Sequence, residues 1–156
     1  NNTLTQHQLQ IAKLIVQGYL NKEIANILCI KEQTVKIHLS KSDLQNLNTT
    51  PITLVPAQSG KAIEIISVLW YYDYQGTPYN NGVTMSILTN TISNAWCSIS
   101  ISNYTQDING YVVPLSTSTT TNRWTANQNV VISSIAGLGS GNGTLDLYVL
   151  YRYVTI

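Results

Sequence analysis

The sequence has no phenylalanine, one methionine, two cysteines and few charges. Only 10% of its 156 residues are charged and the net charge is +1, so no extended basic surface is available to wrap nucleic acid. Hydrophobic residues still make up 44%, including 10 Tyr and 3 Trp, which is enough for a core and argues against intrinsic disorder. A surface with few charged residues is typical of protein subunits that pack against one another, because a charge at an interface must be desolvated or paired. The composition therefore favours a subunit of an assembly.

The sequence also predicts neither a disulfide bond nor a membrane-spanning segment. Cys29 and Cys97 are far apart in apolar contexts, so we expect two buried thiols. No segment approaches the roughly 18 consecutive apolar residues that cross a bilayer. Residues 1–10 are polar and do not resemble a signal peptide. We therefore expect a soluble protein that is made in a cytoplasm and has no membrane partner.

Residue types that carry catalysis are scarce. Neither the two histidines, His7 and His38, nor the two cysteines have the spacing of metal ligands. Asp73, Asp107 and Asp146 are isolated along the chain, so no carboxylate pair for glycoside cleavage is indicated. We expect no enzyme, no catalytic residue, no metal and no cofactor.

The periodicity of apolar residues changes from helical to strand-like at residues 46–51, a polar segment that ends at Pro51. Five of the six lysines precede this segment and oppose three acidic residues, whereas the remainder of the chain is slightly acidic. We predict a helical domain at 1–45, a linker at 46–51 and a β domain at 52–156.

Three short helices are predicted in the first domain. The first carries Leu14 and Ile15 on an apolar stripe and ends at Gly18, a typical C-terminal glycine cap. The second begins at Asn21, and the third begins near Glu32. Val35 and Leu39 of the third helix are predicted to point inward.

Two motifs in this domain, Asn-Lys-Glu-Ile-Ala at 21–25 and Thr-Val-Lys-x-His at 34–38, resemble the LuxR/FixJ-type helix-turn-helix. The resemblance spans residues 4–38 and implies a unit whose third helix enters the DNA major groove. It implies DNA contacts from Lys36 and Lys41 on the third helix and from Lys22 on the second.

The same segment departs from the family pattern at Gln8, Gln10 and Lys31, and the linker replaces the fourth, dimerising helix. Its small excess of positive charge predicts weak DNA binding, because DNA affinity comes largely from phosphate neutralisation. The outward side of the third helix is predicted to mix apolar and polar residues, which suits a protein groove as well as DNA. These candidates for docking or DNA contact are Lys36, Ile37, Ser40, Lys41 and Leu44. Both alternatives stay open, with protein docking favoured.

From Ile52 onward apolar residues alternate with a period of two. Strands are predicted to begin at Ile52, from 62 to 74, at 83–87, 97–102, 111–113 and 130–132, and from 145 to the end. The alternating glycines at 137–143 precede a strand, which excludes a phosphate loop, and we expect a flexible hairpin loop there. The predicted fold class is α+β in two domains, a three-helix helix-turn-helix unit followed by an antiparallel β-sandwich of jelly-roll type.

Both faces of the first and last long strands carry aromatic residues, which a monomeric sandwich would expose to water. We therefore expect a homo-oligomer, with a trimer favoured. The alternative is that both strands are covered on both sides within one chain.

Residues 54–63, with Leu-Val-Pro-Ala followed by Gly-Lys, and residues 72–79, with Tyr-x-Tyr-x-Gly-Thr-Pro-Tyr, resemble small β-structured virion proteins of tailed bacteriophages. The resemblance implies a structural protein of the virion, a capsid decoration or a head fibre, whose partners are capsid or other virion proteins. One alternative is a LuxR-type transcriptional regulator with a β oligomerisation or sensing domain. Another is a carbohydrate-binding virion module, for which Trp124 is the candidate for glycan stacking.

Overall fold

A computed structural model describes residues 12–18, 33–89, 95–114 and 125–155. The chain divides into two compact units, Asn1–Lys31 and Glu32–Ile156. This boundary lies earlier than the predicted linker at 46–51, because residues 33–46 belong to the second unit. None of the described helices is long and apolar enough to cross a membrane.

In the first unit, residues 12–16 are helical. Gly18 follows with φ +83° and donates its backbone N–H to the carbonyl of Ile15 at 2.9 Å. The predicted glycine end of the first helix is therefore confirmed, since this left-handed backbone conformation favours glycine. Ile15 itself is 57% exposed, which differs from its predicted inward position.

The described part of the second unit contains one short helix and eight strands. In chain order they are β1 (Gln33–Leu39), α1 (Lys41–Asn46), β2 (Ile52–Val55), β3 (Lys61–Asp73), β4 (Thr84–Thr89), β5 (Cys97–Ser100), β6 (Ile108–Val112), β7 (Val130–Ser134) and β8 (Thr144–Thr155). The strands from β2 onward match the predicted ones to within a few residues, so the β-rich part of the fold class is confirmed.

Two four-stranded antiparallel sheets form the second unit. The first sheet has the order β1-β8-β3-β6 and the second has the order β2-β7-β4-β5. The partners are nested along the chain, since β1 pairs with β8, β2 with β7, β3 with β6 and β4 with β5. One apolar core contains residues from both sheets. The predicted arrangement of two antiparallel sheets is therefore confirmed.

The predicted third helix is wrong, because the residues from Gln33 to Leu39 form strand β1 and pair with β8. Val35 and Ile37 pack against the core and Leu39 is fully buried, whereas the residues between them are exposed. β-branched side chains at alternating positions favour a strand. The residues that suggested one face of a helix therefore lie on the inner face of a sheet.

Helix α1 follows directly and begins at Ser40. The Ser40 hydroxyl accepts a hydrogen bond from the backbone N–H of Asp43 at 3.3 Å, and the Asp43 carboxylate accepts from the backbone N–H of Ser40 at 2.8 Å. This reciprocal pair is a capping box, which satisfies backbone donors at the start of a helix. Leu44 and Leu47 are buried with no exposed surface, so α1 closes one end of the core.

A bulge between Ile65 and Ser67 changes which residues of β3 face the core. Ile63 and Ile65 point inward before the bulge, and Val68 and Tyr72 point inward after it. Leu69 and Tyr71 are therefore exposed on the outer side, although strict alternation from Ile63 and Ile65 would place them inside, because one extra residue reverses the alternation.

The glycine run at 137–143 packs against neighbouring side chains, in contrast to the predicted flexible loop. The Gln45 side-chain amide donates hydrogen bonds to the carbonyls of Gly139 and Gly141, both at 3.2 Å. A Cβ on Gly143 would overlap the Tyr72 ring and lie 2.6 Å from the carbonyl oxygen of Asp73. Glycine is required there because the backbone passes close to a buried aromatic ring.

Candidate interaction surface on the first sheet

The structure separates the docking and DNA-contact candidates that the sequence placed on one helix face. Lys36 lies on the outer side of β1, and Ile37 lies on its inner side against the core. Ser40 caps α1 and Lys41 is an exposed residue of α1, whereas Leu44 has no exposed surface. The prediction that Ile37 and Leu44 point outward is therefore wrong, because both fill the core. Lys22 and Trp124 lie outside the described residues.

The outer side of the first sheet carries an exposed apolar surface, which we call the aromatic face. Nine large apolar side chains are exposed in the described part of the chain, and five of them belong to this face. On the strands they are Leu69 (49% exposed), Tyr71 (40%), Tyr111 (62%) and Tyr148 (38%), and Val113 (50%) directly follows β6. A contiguous patch of this kind is typical of an interaction site. As predicted, aromatic residues on the outer side of the long strands are exposed to water in a single chain; they are Tyr71 and Tyr148.

Strand register aligns the aromatic face in rows. In the central row, Lys36 of β1 lies opposite Tyr148 of β8, Tyr148 lies opposite Leu69 of β3, and Leu69 lies opposite Tyr111 of β6. Directly opposed residues of antiparallel strands point to the same side of the sheet. One continuous row therefore runs from a cation at one edge to an exposed tyrosine at the other.

The next row is polar. His38 lies opposite Asp146, Asp146 lies opposite Tyr71, and Tyr71 lies opposite Asn109. A shallow depression of about 400 Å³ crosses both rows. Its lining residues are Leu69, Trp70, Tyr71, Asn109, Gly110, Tyr111 and Tyr148.

Near the β1 edge of this face, Lys36 and His38 both contact Asp146 of β8. His38 Nδ1 donates to Asp146 Oδ1 at 2.7 Å, and Lys36 Nζ lies 3.2 Å from Asp146 Oδ2. Lys36 Nζ also lies 5.3 Å from the centre of the Tyr148 ring. The hydrogen bond with His38, followed by the contacts with Lys36, lowers the pKa of the Asp146 carboxyl. Hydrogen bonds with Tyr148 and Asp146 raise the pKa of Lys36, so the ammonium stays charged at neutral pH.

Acidic groups concentrate at the opposite edge. Asp107, next to the first residue of β6, accepts hydrogen bonds from the Tyr71 hydroxyl at 2.9 Å and from the Tyr74 backbone N–H at 2.8 Å. The bond to Asp107 raises the pKa of the Tyr71 phenol. Asp73 accepts from the Gln75 side-chain amide at 3.1 Å. The aromatic face therefore has a polarity across its strands, with the Lys36–Asp146 ion pair and His38 near β1 and the carboxylates of Asp73 and Asp107 near β6.

The part of the chain that the structure describes contains no group of three or more His, Cys, Asp or Glu residues that could hold a metal ion. Cys97 is a buried free thiol, and its burial raises its pKa to about 11, which keeps it protonated at neutral pH. Its predicted character as a buried thiol is confirmed. Cys29 and His7 lie outside the described residues.

Sequence reasoning missed β1 as part of this surface, and with it the contribution of Lys36 and His38 to the face. A signal was present in the alternation of Thr34, Lys36 and His38 with Val35 and Ile37, which is the period of a half-buried strand. The match to helix motifs over the same residues outweighed it.

Residues 2–50 match the family model of bacterial regulatory proteins, luxR family. The N-terminal part of the chain carries a luxR-type helix-turn-helix sequence. Over 47 residues it is 43% identical to the nitrate/nitrite response regulator protein NarP of Escherichia coli (strain K12). The aligned segment is 30% of this chain and 21% of that protein, so the chain spans about a fifth of the regulator's length. The predicted resemblance to the LuxR type is confirmed for this segment.

Comparison with solved structures finds β-rich chains of viruses and of a bacterial appendage. A chain of the cyanophage Pam1 capsid asymmetric unit is 13% identical with a TM-score of 0.45, and the match covers 79% of this chain and 84% of that one. A chain from the disulfide-linked pili of Bacillus endospore appendages is 12% identical with a TM-score of 0.39, covering 81% and 89%. Both TM-scores lie below 0.5, which is too low to assign a function.

Proposed function

We propose that this chain is a structural subunit of a bacteriophage virion, a capsid decoration or head fibre, that self-associates through the aromatic face. The observation that supports the proposal best is the outer side of the first sheet, where Leu69, Tyr71, Tyr111 and Tyr148 are exposed on strands whose inner sides fill the core. Aromatic residues are enriched at protein interfaces, because they bury much surface for little lost conformational entropy.

The outer side of the first sheet is close in size to a specific interface. Four strands span about 19 Å, and a 12-residue strand such as β8 is about 40 Å long, so the footprint is at most about 750 Å². Specific protein interfaces bury about 800 Å² on each partner. Association of two copies therefore requires most of this sheet and little more.

The virion assignment rests on the fold together with the sequence. The nested pairing of eight strands in two sheets supports the jelly-roll arrangement, which virus capsid proteins use. Of the two segments that resemble phage virion proteins, 54–63 connects β2 to β3 and 72–79 follows from the end of β3. Low charge suits a subunit whose surfaces are buried in a particle.

We propose a role without catalysis and without a cofactor. The carboxylates of Asp43, Asp107 and Asp146 each bind neighbouring groups of the fold, as helix cap, strand-end acceptor and cross-strand ion pair. These contacts give each of them a structural role. We propose further that the chain binds a capsid protein or another virion protein in the particle.

Leu69→Asp tests self-association, because Leu69 is 49% exposed on a central strand of the aromatic face. A buried charge at the centre of an interface weakens binding by roughly 2 kcal/mol or more, about 30-fold in the dissociation constant. Light scattering of the whole chain should show an oligomer that Leu69→Asp shifts toward monomer. The matched control is Ile135→Asp, which changes an exposed isoleucine away from the face and should leave the mass unchanged. A wild-type monomer at all concentrations would refute self-association.

Mass spectrometry of purified particles tests the virion assignment separately. Peptides of the sandwich, such as one containing residues 62–73, should be present in particles at a stoichiometry comparable to other structural proteins. Their absence from particles, together with their presence in infected-cell extracts, would refute a virion role even if the protein self-associates.

A DNA-binding regulator is the second candidate, and the match of residues 2–50 to the luxR family favours it. The structure provides a test, since Lys36 is held on β1 by Asp146 and the Tyr148 ring instead of on a recognition helix. If the whole chain binds duplex DNA, Lys22→Ala should weaken binding whereas Lys36→Ala should not. Loss of sequence preference in Lys36→Ala would support the regulator, because that lysine would then contact base edges.

A further inference from the structure

The polarity of the aromatic face constrains how two copies can pack, and this inference rests on the self-association proposed above. The central row reads Lys36, Tyr148, Leu69 and Tyr111 from the β1 edge to the β6 edge. A face-to-face homodimer is related by a two-fold axis that lies in the plane between the two sheets. Such an axis runs either across the strands or along them.

An axis across the strands places each strand over its own counterpart. An axis that crosses the central row would then place the Lys36 ammonium of one copy against the Lys36 ammonium of the second. Like charges opposed across an interface disfavour association. This arrangement is therefore unfavourable at the β1 edge of the sheet.

An axis along the strands places β1 of one copy over β6 of the other, and β8 over β3. Lys36 then meets Tyr111 of the second copy, so that its ammonium lies between that ring and the Tyr148 ring of its own chain. Tyr148 meets Leu69 of the second copy at the centre. Every residue of the central row acquires a compatible neighbour.

The polar row is compatible with the same axis. His38 meets the Asn109 amide of the second copy, and Asp146 meets the Tyr71 hydroxyl. The β1 edge of each copy, which carries Lys36, also lies over the edge of the other that carries Asp107. Packed sheets keep their strands within about 30° of each other, which preserves this opposition near the axis.

We propose that two copies of this chain pack their aromatic faces together about a two-fold axis that runs along β3 and β8. The occupant of the face is therefore a second copy in antiparallel strand order, β1 over β6. The central contacts are Tyr148 with Leu69, and the outer contacts are Lys36 with Tyr111.

Mixing two variants of the whole chain, each with one added cysteine beside the buried Cys97, tests this arrangement. Lys36→Cys and Tyr111→Cys, each in a Cys29→Ser background, are mixed and oxidised, and the products are separated by mass. The proposal expects a heterodimeric disulfide between the two variants and little homodimeric product from either. Neither variant carries both added cysteines, so any disulfide between positions 36 and 111 joins two chains.

A second pair of cysteine variants is needed because Tyr111→Cys removes a ring that itself contributes contact area. His38→Cys with Asn109→Cys samples the polar row and should give the same heterodimeric product. Ile135→Cys mixed with Lys36→Cys is the control and should give none.

The outcomes separate the two proposals. Homodimeric cross-links of Lys36→Cys would establish the axis across the strands and refute this one. An oligomer without cross-links at either pair, or a measured trimer, would refute the two-fold arrangement while self-association stands. A monomer would refute both.

Discussion

Replacing Leu44 by alanine tests whether residues 33–46 are part of the sandwich. Leu44 has no exposed surface and packs in the same core as Leu39 and Leu47. Truncation of a buried leucine to alanine costs about 2–5 kcal/mol, because transfer energy is lost and a cavity remains. The luxR-type hypothesis instead places Leu44 on an outward helix face, where substitutions usually change stability by less than about 0.5 kcal/mol.

Thermal unfolding followed by tryptophan fluorescence provides the assay, since Trp70 and Trp96 both lie in the sandwich. For a unit of this size a loss of about 3 kcal/mol corresponds to a fall in Tm of about 10–15 °C. Lys41→Ala is the matched control, because Lys41 is an exposed residue of the same helix. Equal melting temperatures for Leu44→Ala and Lys41→Ala would refute the placement of α1 in the core.

Two further substitutions test local features of the fold. Gly143→Ala should destabilise the sandwich by about 1–3 kcal/mol, because the new Cβ overlaps the Tyr72 ring; urea unfolding measures the loss, and an unchanged midpoint would contradict the close approach. Ser40→Ala should cost about 1 kcal/mol at neutral pH through the lost helix cap. Hydrogen bonds from Ser40 lower the pKa of Asp43, so this stabilisation is present above the ordinary carboxyl pKa and is lost as the pH falls through the lowered value. The difference between Ser40→Ala and wild type should therefore shrink in acid, and a constant difference in unfolding experiments from neutral to acidic pH would contradict the capping box.

The long strands were predictable because each has one buried side over many residues. In β8, Leu145, Leu147 and Val149 alternate with polar or exposed residues, and the structure places these three on the core side. Period-two alternation of this length has few other physical explanations. The exposed side of the same strand, with Tyr148, was the sequence signal for an interaction surface.

The residues of strand β1 carry the period of a strand, but they also fit a helix, so its own sequence did not decide between the two. Val35 and Leu39 are spaced for one face of a helix, whereas Val35, Ile37 and Leu39 are equally spaced for one face of a strand. The choice is made by β8, which lies more than a hundred residues later and supplies both the backbone partners and the ion-pair partner Asp146. Local propensity carries no information about such a distant partner.

Local sequence also did not predict which residues of β3 face the core, or how the glycine run at 137–143 packs. The bulge at Ile65 and Ser67 reverses the inner and outer residues, and it arises from the pairing with β8 instead of from a glycine or proline in β3. The packed glycines at 137–143 depend on Gln45 and on the Tyr72 ring, which no local pattern connects to them. Tertiary contacts therefore decide both features.

The central claim is that the aromatic face is an association surface, and oxidative footprinting of the whole chain tests it most directly. Hydroxyl radicals label exposed Leu and Tyr side chains, so labelling is compared below and above the concentration at which the protein associates. We predict that Leu69, Tyr71 and Tyr111 become protected on association, whereas Ile135 is labelled equally in both states. Association that leaves Leu69 and Tyr111 as reactive as in the monomer would contradict the claim.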